Sequence, residues 1–193
     1  MILHFQTNLK DYIQNISNNY TSTQYTCPKC GAKHAMRRHG FYTRHVLTIE
    51  NNTFHDHTLS VLRLQCTSCN STHAVLPMDV IPYSIYSLST VLLLISKVLV
   101  EQISLTETAY HFNLSYQLIS FFIKRFLSFE SDARILLKEL HILDTLTLSA
   151  MLQLIINRPT FISEYFIHTR WLFLMQKFRS ISPKPIFVGT DFS

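Results

Sequence analysis

Two short cysteine motifs, Cys27-Pro28-Lys29-Cys30 and Cys66-Thr67-Ser68-Cys69, decide how this chain folds. They hold all four cysteines of the 193-residue sequence, and 35 residues separate one motif from the other. A Cys-x-x-Cys turn directs two thiolates toward one metal ion about 2.3 Å away, and two such turns complete a closed tetrahedral site. Gly31 follows the first motif, where such a turn often needs a residue that tolerates a positive φ angle. The spacing therefore predicts that Cys27, Cys30, Cys66 and Cys69 bind one structural Zn²⁺.

Other uses of four cysteines are less consistent with this sequence. Two disulfides suit a secreted chain, but the first ten residues lack the basic start and long apolar core of a secretory signal. A redox-active pair needs a single motif in a βαβ context, which is not predicted here. Iron in a rubredoxin-like site has similar spacing and remains open, as does thiol or disulfide chemistry. Six histidines lie near the motifs, but four thiolates need no further ligand. They are His34, His39, His45, His55, His57 and His73.

The segment between the motifs predicts a β-hairpin. Residues 39–48 and 58–65 can run out and back as strands, with Glu50, Asn51 and Asn52 near the turn. A hairpin that carries its metal at the open end is the outline of a zinc ribbon. The predicted fold class is mainly α with a small β zinc ribbon, in which the N-terminal ribbon precedes a helical domain that contains a helix-turn-helix.

Five segments are predicted along the chain. They are an N-terminal helix and linker (1–26), the zinc ribbon and its connector (27–83), a helical domain with the helix-turn-helix (84–130), a C-terminal helical hairpin (131–182) and a tail (183–193). The connector is expected from residue 74 to 87, because Pro77 and Pro82 disfavour helix there. Ser87 or Ser89 is expected to cap a buried helix over residues 90–102.

Composition and charge limit the class of protein. The chain is 47% hydrophobic and only 15% charged, which is enough apolar material for a folded core. No apolar run reaches the ~18 uncharged residues that a transmembrane helix needs. We therefore expect a cytoplasmic protein with no membrane partner. Residues 27–69 hold six Lys or Arg against Glu50 and Asp56, a balance of +4 that favours a polyanionic partner.

Three arginines of the ribbon are candidate phosphate contacts. Arg37, Arg38 and Arg44 lie close to Phe41 and Tyr42. An arginine can bind a phosphate through two hydrogen bonds, and an aromatic ring can stack on a base. The alternative is a solvated strand face, with Phe41 in a small core. The pattern favours phosphate contact for the three arginines and the core for Phe41.

Residues 105–124 match the twenty-residue helix-turn-helix pattern. Ala109 stands where two helices approach closely, and Asn113 stands at the turn, where a left-handed backbone is required. Phe112, Leu114 and two further apolar residues occupy the positions that the pattern reserves for the core. The alternative is an ordinary helical hairpin, which the −1 charge of residues 70–130 supports.

The second helix of such a unit enters the major groove of DNA with its N-terminal residues. Gln117 can pair with adenine, and Lys124 and Arg125 can contact phosphates. The predicted double-stranded DNA contacts of this unit are Ser115, Tyr116, Gln117, Ser120, Lys124 and Arg125.

The C-terminal third predicts two helices that pair as an antiparallel hairpin. Apolar residues recur at helical spacing over 131–157, and aromatic residues do so over 160–179. An aromatic stripe at this spacing is usually core. The hairpin is expected to pack on the preceding helices or to form a homodimer through these C-terminal helices.

The ribbon and the helical unit together resemble the N-terminal DNA-binding region of bacterial insertion-sequence transposases. More closely, they are similar to a family of small bacterial proteins described only as a domain of unknown function. The matching stretches cover roughly residues 1–130. They are Cys27-Pro28-Lys29-Cys30-Gly31, Arg38-His39-Gly40-Phe41-Tyr42, Leu62-Arg63-Leu64-Gln65-Cys66-Thr67-Ser68-Cys69, Leu76-Pro77, Ile81-Pro82-Tyr83, Tyr86-Ser87-Leu88 and residues 105–124. The resemblance implies recognition of terminal repeats in transposon DNA, or a regulator descended from such a module.

The chain departs from those transposases in its C-terminal region. They use three carboxylates on an RNase H-like fold to hold two divalent ions. Here the strand-like run 186–190 leads to Asp191, and the sequence ends two residues later. Asp144 and Glu164 lie in amphipathic patterns that are typical of surface charges. We therefore expect no enzymatic activity. The competing hypothesis is a zinc-stabilised interaction or dimerisation module with no nucleic-acid role.

Overall fold

The computed structural model describes residues 2–5, 9–15, 25–142, 147–169 and 172–175. This part of the chain is mainly helical and carries one small sheet near the N-terminus. Its strands are β1 (Ile2–Phe5), β2 (Met36–Glu50), β3 (Thr53–Cys66) and β4 (Thr72–Pro77). Its helices are α1 (Leu9–Asn15), α2 (Leu88–Leu99), α3 (Leu105–His111), α4 (Tyr116–Leu127), α5 (Glu130–Glu139), α6 (Leu148–Asn157) and α7 (Phe161–Thr169).

Strands β2 and β3 form the predicted hairpin, and both are longer than the sequence indicates. The turn consists of Asn51 and Asn52, with φ angles of 51° and 61°. Two consecutive positive φ values define the tight turn that matches the twist of a hairpin, and asparagine tolerates this conformation well. The two strands pair from Glu50 and Thr53 at this turn to Met36 and Cys66 at the open end. The open end of the hairpin therefore lies directly at the second cysteine motif, whose Cys66 is the last residue of β3.

Strand β4 corrects the prediction that a connector begins at residue 74. It pairs with β3 in antiparallel fashion, so that Arg63 lies opposite Ala74. Val75 and Leu76 are buried, which explains the apolar residues of this segment. Pro77 is the last residue of the strand and lies beyond the residues of β4 that pair with β3, so its missing N–H removes no bond of that ladder. Strand β1 pairs with β4 in parallel and completes the sheet order β1-β4-β3-β2. The sequence pattern does not predict β1.

Helix α1 packs on the sheet, as predicted for the N-terminal helix. Its Leu9 and Tyr12 are buried in the ribbon core. The Tyr12 hydroxyl donates to the carbonyl oxygen of Val75 at 2.7 Å and accepts from the amide of Leu62 at 3.2 Å. Because the hydroxyl satisfies two backbone groups in the core, α1 is fixed to strands β3 and β4.

Helices α2, α3 and α4 follow the ribbon. Ser87 caps α2 through a bond from the amide of Thr90, which confirms one of the two predicted caps. Ser104 and Ser115 cap α3 and α4 in the same way. Such a cap satisfies an amide that the first turn of a helix leaves without a partner.

The C-terminal part differs from the prediction of one long helix over 131–157. Helix α5 ends at Glu139, and His141 has a φ of 56°. A residue in this left-handed region terminates a helix. Thr147 then caps α6 by accepting from the amide of Ala150. Residues 143–146, with Asp144, lie outside the described residues, as do most of the region 170–182 and the tail with Asp191.

Aromatic rings of the C-terminal part fill the core of the helical unit, as the sequence indicates. Phe161, Tyr165 and Phe173 are buried, and Phe173 has ring neighbours in Phe126 and Phe129 at centroid distances of 6.1 and 5.7 Å. The described side chains of the predicted hairpin therefore pack on α4 and α5 of the same chain.

The tip of the ribbon is docked on the helices. The amide of Leu47 donates to Ile85 at 2.7 Å, and the carbonyl oxygen of Leu47 accepts from the amide of Ser87 at 3.0 Å. The ring of Phe54 lies 6.3 Å from Tyr86 and 6.2 Å from Phe112. The hairpin therefore reaches from the cysteine motifs at its open end to the helical core at its tip.

Candidate metal centre and nucleic-acid surfaces

The two cysteine motifs adopt the same backbone turn. The amide of Cys27 donates to Ala32 and the amide of Cys66 donates to Ser71, both at 2.9 Å and both across five residues. Gly31 and Asn70 each follow a motif and have φ angles of 74° and 55°. The positive φ predicted at Gly31 is confirmed, and Asn70 is its counterpart in the second turn. Glycine and asparagine are the residues that adopt this conformation at least cost.

The four sulfur atoms form a cluster that can hold one metal ion. All four lie within 4.8 Å of one another. The Sγ atoms of Cys27 and Cys69 are 3.6 Å apart, and those of Cys30 and Cys66 are 3.7 Å apart. Thiolates at the corners of a tetrahedron with metal–sulfur distances of about 2.3 Å are about 3.8 Å apart. The distances therefore fit a shared ion, and all four cysteines are free of disulfide bonds.

His73, which the sequence does not predict as a ligand, contacts this cluster. Nε2 of His73 lies 3.6 Å from Sγ of Cys27, and the imidazole is 1% exposed. Its Nδ1 atom is buried and has no hydrogen-bond partner among the described residues. Burial lowers the pKa of His73 to about 4, so the ring is neutral at pH 7 and carries one N–H. An N–H donor beside a metal ligand orients that ligand, and here it would reduce the charge on the Cys27 sulfur.

The thiols themselves differ in their surroundings. Burial raises the pKa of Cys27 to about 12, whereas the side chain and backbone of Ser71 lower the pKa of Cys69 to about 6. Metal binding requires thiolates, which the surroundings of Cys69 favour and the burial of Cys27 opposes. Ser71 directly precedes β4, and His73 is the second residue of this strand. One strand end thus supplies side chains to two of the four cysteines.

The exposed cations of the ribbon lie at its cysteine end. Lys29 and Lys33 are exposed in and after the first motif, and Arg37 and Arg38 are exposed at the start of β2. Arg37 donates to Oε1 of Gln65 at 3.2 and 2.7 Å, and Arg38 lies 4.5 Å from the ring centroid of Phe41. Phe41 is 38% exposed, so it supports Arg38 at the surface and is not a core residue.

Arg44 has different surroundings from Arg37 and Arg38. It is partly buried, and its guanidinium donates to the carbonyl oxygens of Ile81, at 2.6 Å, and of Ser84. These bonds fix the loop between β4 and α2 onto the sheet. Arg37 and Arg38 are therefore exposed neighbours in β2, whereas Arg44 is held in a partly buried position.

Helices α3 and α4 carry the remaining predicted contacts. Asn113 between them has the expected positive φ of 50°. Ser115, Tyr116, Gln117 and Lys124 are exposed, whereas Ser120 is half-buried. Gln117, Phe121 and Lys124 follow one another at a helical spacing and share one face of α4.

Arg125 is less accessible than predicted. It is half-buried, burial lowers its pKa, and its guanidinium lies 5.6 Å from the ring centroid of Phe121. Phe121 is itself 51% exposed, so the exposed face of α4 combines polar, basic and aromatic side chains.

Within the described ranges, no helix is both long and apolar enough to cross a membrane. Neither a curated protein nor a solved structure matches the chain. A family model described as a domain of unknown function, DUF6431, matches residues 27–113. That match begins at the first cysteine, covers the hairpin, β4, α2 and α3, and ends at the turn before α4. The matched residues therefore include the cysteine cluster and extend into the helical unit.

Proposed function

We propose that the chain is a zinc-dependent protein that binds double-stranded DNA and catalyses no reaction. The observation that carries the proposal is the charge around the cysteine cluster. Lys29, Lys33, Arg37 and Arg38 are exposed there. The sequence has no Asp or Glu at residues 25–49 or 57–78, which make up most of the ribbon. Cations without neighbouring carboxylates favour a polyanion, and phosphate contacts supply most of the affinity of DNA-binding proteins.

Zinc is the metal that this donor set favours. Four thiolates in tetrahedral positions select Zn²⁺ or iron, and the charge of −2 on a zinc tetrathiolate is offset by the surrounding cations. The chain is expected to work in the cytoplasm, where such thiols remain reduced. Elemental analysis of protein purified without added metal should find one zinc per chain. If the analysis finds iron, iron replaces zinc in the proposal, and the four cysteine ligands stay the same.

The α3–α4 unit is proposed as a second DNA contact. Its turn and caps are compatible with a helix-turn-helix, and Tyr116, Gln117 and Lys124 are exposed near the start and along the outer face of α4. Gln117 would contact a base edge and Lys124 a phosphate. The resemblance to insertion-sequence transposases adds the finer proposal that the duplex is a repeat at the end of a mobile element.

Duplex binding by charge-neutral variants tests this function. Fluorescence anisotropy with a labelled duplex should detect binding by the zinc-loaded chain at low salt. The double variant Arg37→Gln/Arg38→Gln should bind at least about 10-fold more weakly, because two phosphate contacts are lost. Arg134→Gln on α5 is the matched control and should bind like the unaltered chain. Absence of duplex binding at low salt would contradict the proposal.

A zinc-stabilised interaction module is the second candidate, and one observation favours it. Large apolar side chains are exposed on α3, α5 and the C-terminal α7, including Tyr110, which is 90% exposed, Ile135 and Ile167. Exposed apolar groups at neighbouring positions mark protein-binding surfaces. If sedimentation shows a stable dimer and no duplex binding is found, this second function replaces the first. The C-terminal helices then become candidates for the dimer interface.

A further inference from the structure

A cavity of about 410 Å³ opens on the face of the ribbon sheet that carries Arg44 and Arg63. Tyr42, Thr72 and Tyr83 also line it. Its volume falls within the range of about 300–1,000 Å³ that is usual for small-molecule sites. Arg37, Arg38 and the residues of α4 are not among those that line it. Nothing in the proposed duplex binding uses it.

The cavity holds two cations without an acidic partner. Arg44 and Arg63 are both partly buried, and neither forms an ion pair within the described part of the chain. Burial lowers the pKa of Arg44, which reports the unfavourable loss of water around its charge. A buried cation of this kind is stabilised by an anion that enters the same space.

Both guanidinium groups are already fixed in place. Arg44 donates to the carbonyl oxygens of Ile81 and Ser84 from one terminal nitrogen, and Arg63 donates to Oγ1 of Thr72 at 3.3 Å. A guanidinium has five N–H donors, so these bonds leave further donors on each side chain. An arginine that is held by such contacts loses little conformational entropy when it binds a ligand.

Tyr83 adds an unusual feature at the edge of the cavity. Its φ angle is 62°, a left-handed conformation that is costly for an aromatic residue, and its side chain is 76% exposed. A non-glycine residue in this region is held there by its surroundings and is often found at a functional site. Tyr42 is 38% exposed and lines the same cavity. Each ring offers an aromatic face on which a base can stack.

From the cavity, its two fixed arginines and its exposed tyrosines, we infer that this site binds a nucleoside phosphate. The phosphate contacts the remaining donors of Arg44 and Arg63, and the base stacks on Tyr83 or Tyr42. The nucleotide is either free or the phosphorylated end of a single strand, because both present the same chemical group. None of its lining residues belongs to the duplex-binding surfaces proposed above.

Calorimetric titration of the zinc-loaded chain with adenosine monophosphate tests the inference. Saturable binding with a Kd below about 1 mM is expected. Arg63→Gln should weaken it at least about 10-fold, because a charge-assisted bond is lost. Tyr83→Ala is a second variant, whose exposed side chain can be removed without disturbing the core, and it should weaken binding as well. Arg134→Gln on α5 serves as the control that should not change binding.

Two further probes decide the nature of the ligand. Inorganic phosphate should bind more weakly than adenosine monophosphate; equal affinities would overturn the inference, because the tyrosines would then contribute nothing. Competition by a 5′-phosphorylated single-stranded oligonucleotide supports a strand end, and its failure supports a free nucleotide. No saturable adenosine monophosphate binding would also overturn the inference, whether or not the duplex binds. The Arg37→Gln/Arg38→Gln variant measured in parallel keeps the two sites separate.

Discussion

At the scale of single residues, His73 is a side chain outside the four cysteines that contacts the candidate metal centre. Its Nε2 atom is 3.6 Å from Sγ of Cys27, and both residues are 1% exposed. A thiolate that is removed from water needs hydrogen-bond donors, and a buried N–H is one of few available. We therefore expect His73 to position and stabilise Cys27 when the metal is bound.

His73→Phe should lower zinc affinity by about 10- to 100-fold, because the ring keeps its approximate size but loses the N–H. His73→Gln should restore part of the affinity, since its amide nitrogen can take the place of Nε2. The measurement is competition for zinc with a chromophoric chelator, with the exposed His39→Gln as control. Unchanged affinity in His73→Phe would show that the contact has no role in holding the metal.

The residues of this centre could be predicted only where the signal is local. The four cysteines and Gly31 follow from the spacing of the motifs and from the geometry of the turn. His73 could not be found in this way, because it reaches Cys27 only when β4 folds back and pairs with β3. The sequence pattern predicts a connector from residue 74 onward, so it gives no indication of this contact.

At the scale of elements, turns and caps determine where helices begin and end. The apolar spacing over residues 131–157 continues across the break between α5 and α6, which is why the pattern predicts a single helix. The backbone nevertheless turns at His141, with a φ of 56°, and Thr147 starts α6. Histidine is a tolerated but not a strong signal for this conformation, so the break is difficult to read from the sequence.

Asn113 provides a test of the turn between α3 and α4. Its φ of 50° is easy for glycine and unfavourable for a β-branched residue. Asn113→Gly should leave the free energy of unfolding within about 0.5 kcal/mol of the original, whereas Asn113→Val should lower it by about 1–2 kcal/mol. Urea unfolding followed by circular dichroism gives both values. Equal stability of the two variants would contradict the assigned turn.

The start of α7 is stabilised by an ion pair that depends on pH. Nε of Arg158 donates to Glu164 at 2.7 Å, and the other donor–acceptor pair of this two-bond contact is 2.8 Å apart. The hydrogen bonds from Arg158 hold the pKa of Glu164 below its ordinary value of 4.5. Because the folded-state pKa is lowered, this stabilisation is complete above the ordinary value and is lost as the pH falls through the folded-state pKa.

Glu164→Gln should therefore cost about 0.5–1 kcal/mol of stability at pH 7, a small value because both partners are partly exposed to solvent. The difference between the variant and the original chain should shrink as the pH is lowered below the ordinary glutamate pKa. Unfolding curves at several pH values measure this difference. A difference that stays constant down to acid pH would mean that the ion pair does not act as described.

At the scale of the whole molecule, the described part of the chain has two apolar cores joined by the hairpin. The ribbon core contains Cys27 and Cys66 together with Tyr12 and the strand residues around them. The helical core receives Phe54 and Ile49 from the tip of the same hairpin. Dividing the sequence into segments by composition does not reveal this connection, because it depends on contacts between Leu47 and residues 85–90.

Removal of the metal should affect the two cores differently. Chelation should abolish hydrogen-exchange protection in β2, β3 and β4 near the cysteines, because a structural metal contributes much of the folding free energy of a small ribbon. The helical core, which contains no ligand, should keep most of its protection. Cys69→Ser should have the same effect as chelation, and loss of protection in neither case would contradict the four-cysteine assignment.

The salt dependence of duplex binding tests the central claim of a zinc-dependent DNA-binding protein most directly. Each phosphate contact should contribute about −0.9 to the slope of log Kobs against log salt concentration. The zinc-loaded chain should therefore give a clearly negative slope, and the Arg37→Gln/Arg38→Gln variant a slope that is about 2 less steep. Binding that is absent at low salt, or a slope that the double variant leaves unchanged, would contradict the proposed role of this basic surface.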